Sequence, residues 1–174
     1  MPWSDHYSRY ARYNRWINQQ LLDACEQLST EQLQEDCGLF FGSVLGSWNH
    51  LLVTDLLWTK RMSAIFPILE ELKSLPSPIT LRDTLVVDLP ALRAMRTQTD
   101  DVLVRWCDLL RADDATDVVT YTNTRGEEMS WPLDLILQHL FNHQTHHRGQ
   151  ISAALSGFGI DYGETDLLFA PIKD

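Results

Sequence analysis

Four long segments repeat apolar residues at helical spacing, and this periodicity is the feature that most constrains the fold. The segments run from Ser4 to Leu28, from Ser43 to Phe66, from Asp88 to Arg111, and from about Trp131 to Gly157. An amphipathic helix must bury its apolar stripe against other elements. Four such helices predict an all-α protein, a four-helix bundle. With 174 residues, the chain has the length of a single domain, residues 1–174.

The connections between these segments also carry structural signals. Ser29–Glu31 predicts a short turn, and Ser43 is a suitable cap for the second helix. Prolines interrupt the stretch that follows Phe66, which predicts a long connection between helices two and three and permits a crossover. Before helix four, β-branched residues 117–122, the turn residues 123–126 and a returning strand from Glu127 to Ser130 predict a small β-hairpin.

Four of the six histidines fall within nine residues of the last helix. Side chains at positions i and i+4 of a helix project from one face, so His143 and His147 can bind the same metal ion. His139 and His143 have the same spacing, and spacing alone does not choose between the two pairs. His50, the single histidine of the second segment, is the best candidate for a third ligand, whereas His146 is expected to be a packed or solvent-facing side chain and not a ligand.

Longer motifs around these histidines resemble those of the DinB family of bacterial four-helix-bundle proteins. The matching stretches are Tyr13–Trp16, Phe41–His50, Asp55 with Trp58, Asn142–Ile151 and Gly157–Leu168. The last helix carries the most specific of them, a histidine pair spaced i,i+4 that precedes Arg-Gly-Gln. The resemblance implies that His50, His143 and His147 are the metal ligands and that His139 is not. It also implies a homodimer.

Three histidine ligands leave an open coordination position for water or substrate, which is typical of catalytic metal sites. The family resemblance implies a transferase or isomerase in which the metal activates a low-molecular-weight thiol. Imidazole ligands suit zinc, nickel, iron and copper, and zinc or nickel is expected here. A hydrolase that uses metal-bound water, oriented by Asp55 or His139, is an alternative. A non-catalytic, metal-stabilised dimeric binding protein is another. A zincin protease is disfavoured because Gln144 stands where that motif has glutamate.

The charge of the chain limits the classes of binding partner, and its cysteines indicate the state of its thiols. Fourteen Lys and Arg against 24 Asp and Glu give a formal net charge of −10, with no basic cluster, which disfavours nucleic acid and anionic membrane surfaces. No stretch has the length and apolarity of a membrane span or signal peptide, so a cytoplasmic protein is expected. Cys25, Cys37 and Cys107 are widely spaced and predict free thiols. Arg148, next to the predicted ligands, has no assigned role at this point.

Overall fold

A computed structural model describes residues 3–63 and 70–172. Within these ranges the chain is mostly helical, with one small antiparallel sheet, as the periodicity predicted. The helices are α1 (Trp3–Cys25), α2 (Thr30–Gln34), α3 (Val44–Met62), α4 (Leu89–Asp108) and α5 (Leu133–Gly157), and the strands are β1 (Val118–Thr122) and β2 (Glu128–Pro132). Short 3-10 turns occupy Glu70–Ser74, Ala112–Thr116 and Leu167–Phe169.

Side-chain caps start two of the long helices. The Ser43 hydroxyl accepts a hydrogen bond from the backbone N–H of Gly46, at 3.0 Å, at the start of α3. The Asp88 carboxylate accepts one from Ala91 N–H, at 2.8 Å, at the start of α4. Such caps satisfy backbone donors that have no partner within the first turn. They explain why both helices begin where the sequence predicted.

The helix ends differ from the predicted ones by a few residues. Helix α1 ends at Cys25 and α4 at Asp108, where the prediction had Leu28 and Arg111. After each of these two helices the chain continues through turns with hydrogen bonds between residues i and i+3. Such turns preserve the apolar spacing without a regular α-helix. The predicted end of the second segment at Phe66 lies outside the described residues.

The hairpin is longer than predicted at its second strand. Strand β2 includes Trp131 and Pro132, which the sequence assigned to the start of the last helix. Pro132 has extended backbone dihedral angles, φ −60° and ψ 143°, and pairs with Val118 before α5 begins at Leu133. Proline is tolerated here because it ends the strand and precedes the first helical residue. Trp131 therefore belongs to the sheet.

Each of α1 and α3 packs against both α4 and α5, so the four long helices share one interior. Strand β1 lies on α3, and β2 contacts α5. Large apolar side chains fill two main clusters, one around Trp48 and the other around Trp106, and both rings are buried. In the part of the chain that the structure describes, no helix combines the length and apolarity that a membrane crossing requires.

Asn49, a buried side chain of α3, bonds the connection between α3 and α4 to that helix. The Asn49 carbonyl oxygen accepts hydrogen bonds from the backbone N–H groups of Leu85, at 2.7 Å, and Val86, at 3.0 Å. The Asn49 amide donates to Val86 O at 3.0 Å. The backbone groups of an irregular segment have no partners within a helix or sheet, and the Asn49 side chain supplies hydrogen-bond partners for them here. These bonds hold the connection beside the neighbouring residue on α3, His50.

Candidate metal centre

Two helices bring three of the predicted histidines together. His50 lies on α3, and His143 and His147 lie one turn apart on α5. One ring nitrogen from each histidine lies within 4.8 Å of the others. The Nε2 atoms of His50 and His143 are 3.1 Å apart. The residues that the family resemblance implied as ligands are thus adjacent, although they come from distant parts of the chain.

Hydrogen bonds from neighbouring groups orient two of these rings. His50 Nδ1 lies 3.1 Å from the carbonyl oxygen of Leu81, and His147 Nδ1 lies 2.8 Å from Oε1 of Gln150. Both oxygens only accept, so each Nδ1 carries the hydrogen and donates it. The lone pair of each ring is then on Nε2, the atom that a metal would bind. Hydrogen bonds of this kind fix ligand orientation in histidine metal sites.

Burial keeps the three imidazoles neutral. Desolvation lowers the pKa of His50 to about 4, against a smaller opposite effect of the Leu81 carbonyl. Desolvation, together with the neighbouring histidines, lowers the pKa of His143 to about 3. The pKa of His147 is also lowered by burial, although its bond to Gln150 acts in the other direction. Neutral rings have free lone pairs at pH 7, which metal binding requires.

An aromatic wall closes one side of the histidine group. The Phe41 ring is stacked on His50 with centroids 3.8 Å apart and meets His147 edge-on at 5.6 Å. The backbone carbonyl of Phe41 lies against Gly46, where a Cβ atom would collide with it. Glycine is therefore required at position 46 for this close approach. The wall restricts water on this side of the rings.

The geometry of the three nitrogens fits a divalent metal. Zinc to imidazole bonds are about 2.0–2.1 Å long, so two ligand nitrogens of a tetrahedral site lie about 3.3 Å apart. The separation of 3.1 Å between His50 and His143 is close to this value. Among the described residues, the group includes no further histidine, cysteine or carboxylate. The residues present thus supply three neutral ligands and leave a coordination position open.

A cavity of about 260 Å³ reaches His50 from the side of the connection. Backbone and side chains of the α3 amino terminus and of the connection line it, among them Ser43, Asn49, Arg82 and Thr84. Its lining is mixed in polarity. The cavity thus meets the histidine group at His50, and neither His143 nor His147 lines it.

The structure places the two other histidines of the cluster outside the group. The ring of His139 lies 5.8 Å from that of His143, between centroids, and meets Trp58 edge-on at 5.5 Å. His146 is exposed, and its Nε2 lies 3.3 Å from the Gln150 amide nitrogen. Spacing left open which pair of histidines acts together, and the observed group contains His147 in place of His139.

Asp55, whose role the sequence left open, is buried one turn below His50. It is 1% exposed and accepts a hydrogen bond from the Gln144 amide. Its Oδ2 also lies 2.7 Å from Nη2 of Arg96 on α4. Gln144 directly follows His143 on α5, so this contact joins the two ligand-bearing helices in the interior. A buried carboxylate is tolerated only with such partners.

Further polar residues extend this contact to all four long helices. Arg96 Nη2 lies 2.9 Å from Asp100 Oδ1, and the amide of Asn18 on α1 donates to the same carboxylate at 3.0 Å. Arg148 donates to Asn14 and, at 3.3 Å, to Gln144. Burial lowers the pKa of Arg148 to about 10, so it stays charged at pH 7. We call these residues the buried polar network: Asn14, Asn18, Asp55, Arg96, Asp100, Gln144 and Arg148.

Sequence reasoning missed part of this arrangement. Asn14 with Asn18, and Arg96 with Asp100, are spaced i,i+4 within apolar helices, which is a signal of a shared buried face. That signal was not recognised. Leu81, which orients His50, had no signal because it acts through its backbone carbonyl. Gln150 ends the Arg-Gly-Gln motif, but the motif did not indicate its contact with His147.

Comparison of the sequence with known proteins identifies the family of this chain. The sequence model of the DinB family matches residues 3–172. Protein DinB of Bacillus subtilis (strain 168) is 24% identical over 168 residues, which cover 94% of this chain and 92% of that protein. The match spans the helices, the hairpin and all three histidines of the group. The chain belongs to the DinB family.

Proposed function

We propose that this protein is a divalent-metal-dependent transferase that activates a low-molecular-weight thiol. In this proposal His50, His143 and His147 bind the ion, zinc or nickel, within a single-domain four-helix bundle of DinB type. The transferase assignment follows the family resemblance. The ligand assignment is supported by the convergence of the three ring nitrogens within 4.8 Å.

One observation carries the proposal: three neutral ligands, with no fourth among the described residues, beside a cavity that reaches His50. A structural zinc site is usually closed by four protein ligands. Neutral imidazoles leave the full charge of a divalent ion uncompensated, and such an ion strongly lowers the pKa of a thiol that binds it. The open position and the cavity together suit a small thiol.

The residues of this chain would contribute positioning and exclusion of water. Leu81 and Gln150 hold the imidazoles of His50 and His147, and Phe41 covers their side of the site. The thiol sulfur would form a bond to an electrophilic carbon of the second substrate. The bond from that carbon to its leaving group breaks, the leaving group departs with the electron pair, and the thiol proton passes to solvent.

The position of Asp55 argues against one hydrolytic alternative. In that mechanism Asp55 would orient a water molecule. Its carboxylate instead accepts from Gln144 and pairs with Arg96 in the interior, and the residue is 1% exposed. The carboxylate is therefore not available to a water at the metal. A hydrolase would have to use another group.

A homodimer and a cytoplasmic location are part of the proposal and follow from the resemblance and the sequence. Two apolar side chains near the carboxyl terminus are strongly exposed, Leu168 at 92% and Phe169 at 65%. Exposed apolar groups of this size favour contact with another surface. Sedimentation velocity at two protein concentrations would test the dimer.

The transferase proposal is tested with cobalt in place of the native ion. Protein without an affinity tag is loaded with cobalt and titrated with a panel of small thiols while absorption is recorded. We expect a sulfur-to-metal charge-transfer band that grows with at least one thiol. A fully loaded site without a response to any thiol would contradict the proposal and favour hydrolysis or a structural role.

A further inference from the structure

A second cavity, of about 330 Å³, lies between the hairpin, α3 and α5. Its walls are Trp58, Tyr121, Trp131, Leu135, Ile136 and His139. We call it the aromatic cavity. Three of its six wall residues carry large aromatic rings, and two more are aliphatic. A volume of this size is in the range of small-molecule sites.

Part of this apolar wall faces solvent. Trp131 is 41% exposed and Leu135 is 46% exposed. Apolar surface in contact with water is unfavourable, so covering the wall with an apolar group lowers the free energy. The hairpin supplies Tyr121 and Trp131, which gives the hairpin a role in forming the cavity. A concave, mostly apolar lining that is open to solvent on one side is typical of a small-molecule binding cleft.

A cation fixes the rings of the wall. The Arg61 guanidinium lies 4.8 Å from the Trp58 ring centroid and 4.3 Å from that of Tyr121. A guanidinium over an aromatic face is attracted by the negative charge of the ring face. Arg61 joins α3 to strand β1 at the edge of the aromatic cavity. The two rings are thus held in place before a ligand arrives.

One imidazole separates the aromatic cavity from the three-histidine group. His139 lines the cavity and meets Trp58 edge-on, with centroids 5.5 Å apart. Its ring lies 5.8 Å from that of His143. His139 therefore lies next to both the cavity wall at Trp58 and His143 of the three-histidine group. The cavity at His50 has a different lining, and the two cavities have no lining residue in common.

We propose that the aromatic cavity binds a one- or two-ring aromatic group of the electrophilic substrate. Flat rings suit a cleft walled by aromatic faces and edges, because offset-stacked and edge-to-face contacts are favourable. The electrophilic carbon, attached to the ring, is then directed past His139 to the histidine group. The role as substrate site rests on the proposed transferase function. Binding of the ring itself does not depend on the thiol.

The test measures ring binding on the zinc-loaded protein without thiol. 2-Naphthalenemethanol is the probe, and its fully saturated analogue, which has the same skeleton without a π face, is the matched control. Binding is followed by the indole N–H resonances of the tryptophans in 15N-labelled protein. We expect the resonances of Trp58 and Trp131 to move and those of the core residues Trp48 and Trp106 to stay. The saturated analogue should bind about tenfold more weakly or worse, since each tenfold corresponds to about 1.4 kcal/mol.

Two variants make the test specific. Leu135→Arg places a charge on the exposed part of the wall, and Ser156→Arg places the same charge on an exposed position of the same helix, outside the cavity lining. Leu135→Arg should weaken naphthalenemethanol binding about tenfold or more, and Ser156→Arg should leave it unchanged. Unmoved Trp58 and Trp131 resonances, equal affinity for the saturated analogue, or full binding by Leu135→Arg would each overturn the proposal.

A second copy of the chain is the competing occupant of this face. If the Trp58 and Trp131 resonances shift with protein concentration alone, the face is an interface between copies and the proposal is wrong. The outcomes also separate this proposal from the transferase. Ring binding without a thiol response keeps the aromatic cavity as a ligand site and removes the transferase. A thiol response without ring binding keeps the transferase and excludes this substrate class.

Discussion

The guanidinium of Arg96 on α4 lies 2.7 Å from the carboxylate of Asp55 on α3, and both side chains are almost completely buried, at 0% and 1% exposure. Asp55 in turn accepts from Gln144, the residue after His143. The two helices that carry the histidine group are therefore tied together, and to α4, by charged and polar side chains in the interior.

Replacement of Arg96 by methionine should strongly destabilise the protein. The change removes the ion-pair partner of two buried carboxylates, Asp55 and Asp100, and breaking a buried pair in this way costs about 3–5 kcal/mol in free energy of unfolding. The matched control is Arg15→Met, which breaks the exposed pair of Arg15 with Asp101 and should cost about 1 kcal/mol or less. Urea denaturation measures both. Equal losses would show that the buried network does not dominate stability.

Alanine at position 50, 143 or 147 should abolish stoichiometric metal binding. Each substitution removes one of three ring nitrogens, and the remaining two cannot retain the ion during gel filtration. His146→Ala is the control, because His146 is exposed and outside the group. Elemental analysis after gel filtration gives the metal content. Full occupancy in His147→Ala would refute the ligand assignment.

Gln150→Ala should weaken metal binding while leaving the ligand set intact. The Gln150 carbonyl oxygen accepts from His147 Nδ1, at 2.8 Å, and so keeps the lone pair on Nε2. Loss of such a partner typically lowers metal affinity about 10- to 100-fold. Gln150→Glu retains an acceptor and should bind metal more tightly than the alanine variant. Competition with a chromophoric chelator compares the three proteins, and equal affinities would remove the orienting role.

The metal-free protein should lose stability as the pH falls below about 6.5. That is the unfolded-state pKa of histidine. Burial lowers the pKa of His50 to about 4 and that of His143 to about 3 in the folded state. Between these values the unfolded chain binds more protons than the folded chain, so protons favour unfolding. The stability is fully present above pH 6.5 and declines toward pH 4.

Urea denaturation of chelator-treated protein at several pH values measures this decline. His143→Gln cannot bind a proton in either state and should show a shallower slope between pH 6.5 and 4. Carboxylates titrate in both proteins and cancel in the comparison. The same slope in both proteins would mean that His143 is not held neutral by burial.

The fold could largely be predicted because its signals are local. Ser43 and Asp88 start helices by contacts three residues away, and apolar spacing defines each helical face. The difference at Trp131 has a local cause as well, since a strand that ends in proline leads directly into α5. Periodicity alone does not distinguish a strand end from a first helical turn over two residues.

The candidate site was only partly predictable because its contacts are not local. The spacing of His143 and His147 is visible in the sequence, and His50 stands out as the single histidine of the second helical segment. The choice of His147 over His139 came from family resemblance and not from spacing. The i,i+4 spacing of Arg96 and Asp100 indicates a shared helix face, but it does not indicate which side chains that face meets. A polar residue on a helix is normally assigned to the solvent side, and their partners lie on other helices.

The order of folding follows from the separation between His50 and His143, which are 93 residues apart in the chain. Contacts between such distant positions pay a large loop-closure entropy and form late. An ion can therefore not nucleate this protein in the way that zinc nucleates a small finger domain. During synthesis the three-histidine group can be completed only once α5 has left the ribosome, and the same helix completes both apolar clusters of the interior.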